Sequence, residues 1–127
     1  MNEILEYIIF IVLLLLVDSI WVVGAKKIHT QVIEKVQNST LQINFISAIL
    51  FYLLASLGYI FIVKPLAKDS KSAFLYGLLL GLLMYGTFDL TNKAIFTNYP
   101  WAYALADMCW GALVFGTVST IVFKISH

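Results

Sequence analysis

Residues 4–24 read ILEYIIFIVLLLLVDSIWVVG, an apolar run of 21 residues interrupted only by Glu6 and Asp18 among charged side chains. At about 1.5 Å rise per residue, a helix of this length measures roughly 31 Å, the thickness of a bilayer's hydrocarbon core. Working outward, Ile43–Val63 and Tyr103–Phe123 repeat that length. Another stretch starts at Ala73, is apolar to Leu90 and continues through a polar turn to about Ile95. The whole chain agrees with these segments: 61% of its 127 residues are hydrophobic and 12% charged, against roughly 45–50% and 25% in soluble domains. A chain this short cannot hide so much apolar surface in its own core, and lipid removes the difficulty. The expected fold is an all-α integral membrane protein, a single domain over residues 1–127. Four transmembrane helices at about 4–24, 43–63, 73–95 and 103–123 form an up-down antiparallel bundle, because short connections make sequential helices antiparallel neighbours.

The connections carry their own signals. In residues 25–42, Ile28, Val32 and Val36 recur every fourth position among Lys26, Lys27, Gln31, Glu34 and Lys35. This amphipathic pattern suits a helix lying in the interface or continuing the first span. Lys64–Ser72 contains Pro65, read as a helix stop, with Lys64, Lys68 and Lys71. Thr97–Trp101 reads as a turn with interfacial aromatics. The start, with Glu3 and Glu6, is acidic where a secretory signal is basic, so the first span is expected to be retained. Lys26, Lys27 and Lys35, with Lys93 nearby, face one side; Lys64, Lys68, Lys71 and Lys124 face the other. The positive-inside rule leans slightly toward both termini in the cytoplasm, in a cytoplasmic (inner) membrane. All eight basic residues are lysine and the net charge is +1, which argues against nucleic acid and bidentate phosphate recognition. The single Cys109 excludes an internal disulfide or a multi-cysteine metal site and is expected to be a small buried thiol.

Charges inside spans are the informative residues, since each costs about 2.5–3.5 kcal/mol at a helix centre. Asp18 lies six residues before Gly24, Asp89 six before Ile95, and Asp107 four after Tyr103. In an antiparallel bundle all three fall in one leaflet, about 6–9 Å below its boundary, level with Asn44 and Ser47. Asn92 and Lys93 share the face of Asp89. Asp18-Ser19-Ile20-Trp21 and Asp107-Met108-Cys109-Trp110 place an indole donor one turn from a carboxylate on the first and last spans. Gly77 and Gly81 make a small-residue row, as do Gly111, Phe115 and Ser119, and Ala48, Tyr52 and Ser56; these read as packing faces.

Phe51-Tyr52-Leu53-Leu54, Tyr85-Gly86-Thr87-Phe88-Asp89-Leu90-Thr91-Asn92, Asp107-Met108-Cys109-Trp110-Gly111 and Asp18-Ser19-Ile20-Trp21 together resemble the "domain of unknown function 2177" family of predicted bacterial membrane proteins. The resemblance covers nearly the whole chain. That family's pattern has tyrosine where Phe88 stands, tryptophan before the proline where this chain has Tyr99, and often an apolar residue at Lys93. The resemblance implies the architecture and the same polar positions, and carries no activity.

The candidate polar site is Asp18, Asp89, Asn92, Lys93 and Asp107, with Trp21, Tyr52, Tyr85 and Trp110 as pocket walls. Three carboxylates and one ammonium sum to −2 when all are ionised, a poor device for merely fixing helix register. The leading expectation is therefore binding or transport of a small molecule or ion through this acidic, aromatic-lined site. Transport would require a homo-oligomer, since four helices enclose no large pathway. The alternatives are a membrane enzyme or binding protein acting on a lipid-like hydrophobic substrate, and a structural subunit of a membrane assembly. No nucleophile–base pair, phosphate loop or nucleotide fingerprint supports an enzyme. No cofactor or metal is expected: His29 is in a connection, His127 is terminal, and Lys93 would compete for the carboxylates. The expected partners are the bilayer and a small hydrophobic or ionic ligand.

Overall fold

The computed structural model describes residues 1–127 as helices joined by short connections, with no strand. Helix α1 is Glu3–Gly24, α2 Lys26–Gln37, α3 Phe45–Leu66, α4 Ser70–Ile95 and α5 Trp101–Ser126. All but α2 are long and apolar enough to cross a membrane. Only 27 of 127 residues are buried, and most large apolar side chains point outward, which suits lipid and not water as the surrounding medium.

The boundaries follow from the caps. Asn2 and Asn44 accept the N–H groups of Leu5 and Ser47 and so open α1 and α3. Asp69 and Ser72 form a reciprocal capping box that starts α4 at Ser70, ahead of the expected Ala73. The Ser72 backbone N–H holds the Asp69 carboxyl below the usual carboxylate range. Pro65 does not stop α3 as expected. Over Tyr59–Val63 the helix widens to a π-type turn, in which the Lys64 N–H reaches the Tyr59 carbonyl, and it runs on through Pro65 to Leu66. Pro65 has no N–H to offer the preceding turn, and the helix ends one residue beyond it. Between Gly24 and Lys26 the chain bends at Ala25, so the amphipathic segment is a separate helix rather than a continuation of α1.

Helix α1 packs on α3 and α5, and α4 packs most intimately on α5. The reason for that intimacy is absent side chains. A Cβ on Gly81 would strike the carbonyl of Gly111, and one on Gly77 would lie 2.6 Å from the carbonyl of Phe115. The two backbones thus touch directly. The core, with Phe10, Leu14, Tyr59, Val114, Phe115 and Val118, fills the middle of the bundle, and Phe10 stacks on Tyr59 at 4.8 Å. Cys109 lies on the outer face of α5 and is exposed; the expectation of a buried thiol is corrected, because Asp107 and Gly111 on either side of it take the inward face.

Helix α3 touches α4 through Tyr59–Val63 and the turn that follows. Toward its N-terminus α3 stands apart, with Phe45, Ile46 and Leu54 at least 70% exposed.

The glycine contact supplies a first test. Gly81→Ala must push α4 off α5, because the obstructing atoms belong to backbone and cannot rotate away. We expect a loss of about 1–3 kcal/mol, the usual range for overpacking, read as a lower thermal midpoint in detergent. Gly24→Ala, with nothing within 4 Å of the added carbon, is the control. Equal midpoints for the two variants would mean the helices are not in backbone contact.

Candidate functional site

Asp18, Asp89 and Asp107 are each six residues from the near end of α1, α4 and α5, or about 9 Å at 1.5 Å per residue. All three are buried, none by more than 8% exposed. The structure brings them together with indoles and phenols as the donors.

The two Asp-x-x-Trp motifs exchange partners. Trp21 Nε1 donates to Asp107 Oδ1 at 2.9 Å, and Trp110 Nε1 donates to Asp18 Oδ1 at 2.8 Å. Helices α1 and α5 run antiparallel, so Trp21 lies nearer the boundary than its partner aspartate and Trp110 lies deeper. The result is a local two-fold relation across the helix pair, with the indoles stacked 6.1 Å apart at 25°. Tyr52 donates to the second oxygen of Asp18 at 2.5 Å.

Asp89 is fully buried behind this pair. Tyr99 OH donates to its Oδ1 at 2.5 Å. Its Oδ2 is buried without a hydrogen-bond partner. Tyr99 belongs to the α4–α5 turn. Burial first, and then the bond to Asp89, push its phenol up, so it stays a donor at any ordinary pH.

Other expected members are placed differently. Asn92 is half-buried beside Tyr99. Lys93 does not join the carboxylates, which corrects its assignment to the site. Being one turn nearer the helix end, its flexible stem extends outward, and its ammonium sits 5.7 Å over the Trp101 ring. Tyr85 is half-buried and its ring lies against Gly111, where a Cβ would collide with it.

Three residues of the site were missed in the sequence: Tyr99, Tyr103 and His29. Helix α2 folds back so that Val32 packs on Tyr99 and Ala104, and His29 roofs the site. One His29 nitrogen meets Tyr103 OH at 2.5 Å and the other the Trp21 carbonyl at 3.1 Å. The amphipathic spacing located Val32 on the buried face. Nothing in the sequence pointed to what that face would cover.

Beneath this roof lies a cleft of about 440 Å³, walled by Asp18, Asp107, Trp21, Tyr85, Phe88 and Tyr103, with Lys26 and His29 toward its mouth. The larger cavity, about 670 Å³, lies elsewhere, on the apolar face between α3 and α4. No three His, Cys, Asp or Glu side chains converge as a metal-ligand set, because most of the carboxylate oxygens already point at indoles and phenols.

At the opposite end of the bundle Glu6, 2% exposed, pairs with Lys64 at 3.0 Å, and Glu3 reaches the same ammonium at 4.0 Å. These are the ion pairs of the chain. The three aspartates have none.

The exchange of indoles is measurable. Trp21→Phe leaves Asp107 Oδ1, and Trp110→Phe leaves Asp18 Oδ1, without its donor, each costing about 1–3 kcal/mol. Because the two bonds share one stacked indole pair, the double variant should lose less than the sum of the singles by at least ~0.5 kcal/mol in a thermal double-mutant cycle in detergent. Strict additivity would show two independent bonds.

The chain matches no curated protein and no solved structure. A family model described as "Predicted membrane protein (DUF2177)" matches residues 3–124. With four spanning helices and its polar positions gathered in one leaflet, the chain belongs to this DUF2177 family of predicted membrane proteins.

Proposed function

We propose that the protein binds a small organic cation, an ammonium, in the cleft over Asp18 and Asp107. One observation carries this reading: three carboxyls are buried together, every donor that meets them is neutral, and no lysine pairs with them. Buried charges ordinarily find a counter-charge. An ammonium supplies one, and its N–H groups fit carboxylate oxygens that retain free lone pairs. The cleft walls add Trp21, Tyr85, Phe88 and Tyr103, and aromatic faces attract cations, the more so when desolvated.

The reading is binding, not conduction through one chain. Phe10, Leu14, Val114, Phe115 and Val118 fill the bundle between the aspartates and the Glu6–Lys64 end. An ion passing that way would cross dry hydrocarbon.

Trp21 and Trp110 report on the site directly, so the test uses their fluorescence in a Trp101→Phe background. Butylammonium should change their emission saturably, while butanol, of matching shape and no charge, should not. Asp107→Asn should weaken butylammonium binding by roughly tenfold or more, about 1.4 kcal/mol. If butanol acts like butylammonium, or Asp107→Asn binds as tightly as the parent, the aspartates serve only to hold helices in register.

A further inference from the structure

Resting on that reading, we infer that the ammonium ligand is an amphiphile. Its charged head sits over Asp107, and its alkyl chain leaves sideways between α3 and α4.

Three neighbouring cavities share walls in sequence. The aspartate cleft shares Tyr85, Phe88 and Asp107 with a second space of about 410 Å³, whose remaining walls are Phe51 and Met84. That space in turn shares Phe51 and Met84 with the apolar groove of about 670 Å³, which continues past Leu54, Leu83 and Leu80 to Gly58, Phe61 and Ile62. From Phe51 to Ile62 the groove runs roughly 16 Å along α3 at about 1.5 Å per residue, which accommodates a long alkyl chain. Leu80 of α4 packs closely on Gly58 of α3, and nearer the aspartates the two helices meet through the rings of Phe51 and Tyr85, 6.3 Å apart. In this inference the acidic site is reached from the acyl region of the bilayer past Phe51 and Met84 as well as from the headgroup side.

The order of groups along the path selects the ligand. Lys26 and His29 lie at the mouth, the carboxylates lie beneath them, and the apolar groove leads away from the carboxylates. A tail followed directly by an ammonium matches this order. A zwitterionic lipid, in which phosphate lies between tail and ammonium, would set its phosphate against Asp107 and its ammonium against Lys26. Like charges at both positions disfavour it.

The experiment compares butylammonium with dodecylammonium in one detergent, using the Trp21 and Trp110 signal in the Trp101→Phe chain, with dodecanol as the uncharged control. Dodecylammonium should bind roughly tenfold or more tightly than butylammonium, and dodecanol should not compete with it. Leu83→Phe places a ring in the groove from a side chain already 58% exposed, so the fold has room for it, and adds no indole emission. It should remove the gain of the long chain and leave butylammonium unchanged. Leu54→Phe, at a 70% exposed position on the opposite wall, does the same from α3. Equal affinity for the two amines, or a gain that survives both groove variants, overturns the tail assignment while the cation site stands. If butylammonium itself gives no saturable signal, the cation reading falls and this inference with it.

Discussion

A carboxylate carried into hydrocarbon has to be met by donors, and three of them in one leaflet must be met at the same depth. In this bundle the donors come from other helices. Trp21 of α1 serves Asp107 of α5, Trp110 of α5 serves Asp18 of α1, and Tyr52 of α3 completes Asp18. Each bond fixes how far one helix may slide along another, since a shift of one residue displaces a donor by about 1.5 Å and leaves a buried oxygen unpaired. The register of α1, α3 and α5 thus follows from the aspartates. The α4–α5 pair is set by a different means, the direct contact of Gly77 and Gly81 with the α5 backbone.

The two ends of the bundle solve the problem of buried acid differently. Glu6 is answered by an ammonium, Lys64, whose long stem reaches it from the end of α3. The aspartate end uses neutral donors alone, although Lys93 is only one turn from Asp89 and turns instead to Trp101. A core of mostly apolar side chains separates the ends. This asymmetry gives the site its chemistry. It gathers three buried carboxyl groups, none of them in an ion pair with a lysine, under a roof made by His29.

Composition and span length made the four membrane helices and their antiparallel order legible before any coordinates, because the thickness of a bilayer leaves few alternatives for runs of 21 apolar residues. Pro65 misled by one residue: the helix passes through a widened turn over Tyr59–Val63 and ends at Leu66, just beyond the proline. Lys93 misled too, since sharing a helix face with Asp89 fixes direction at the Cβ but not where a four-carbon stem delivers its charge.

What the sequence by itself determined was the depth of Asp18, Asp89 and Asp107. Position along a helix of known rise is a one-dimensional quantity, and the direction of each span follows from the loops. Which donor meets which carboxylate was decided only by the tertiary structure. Within each Asp-x-x-Trp motif, indole and acid lie one turn apart on the same helix, and that spacing is equally compatible with a bond inside the motif and with the exchange observed. The choice depends on the distance and rotation between α1 and α5, set by packing of the whole bundle. Tyr99 and His29 entered the site for the same reason: a turn and an amphipathic helix were folded over the aspartates by contacts among Val32, Tyr99 and Ala104 that no local pattern encodes.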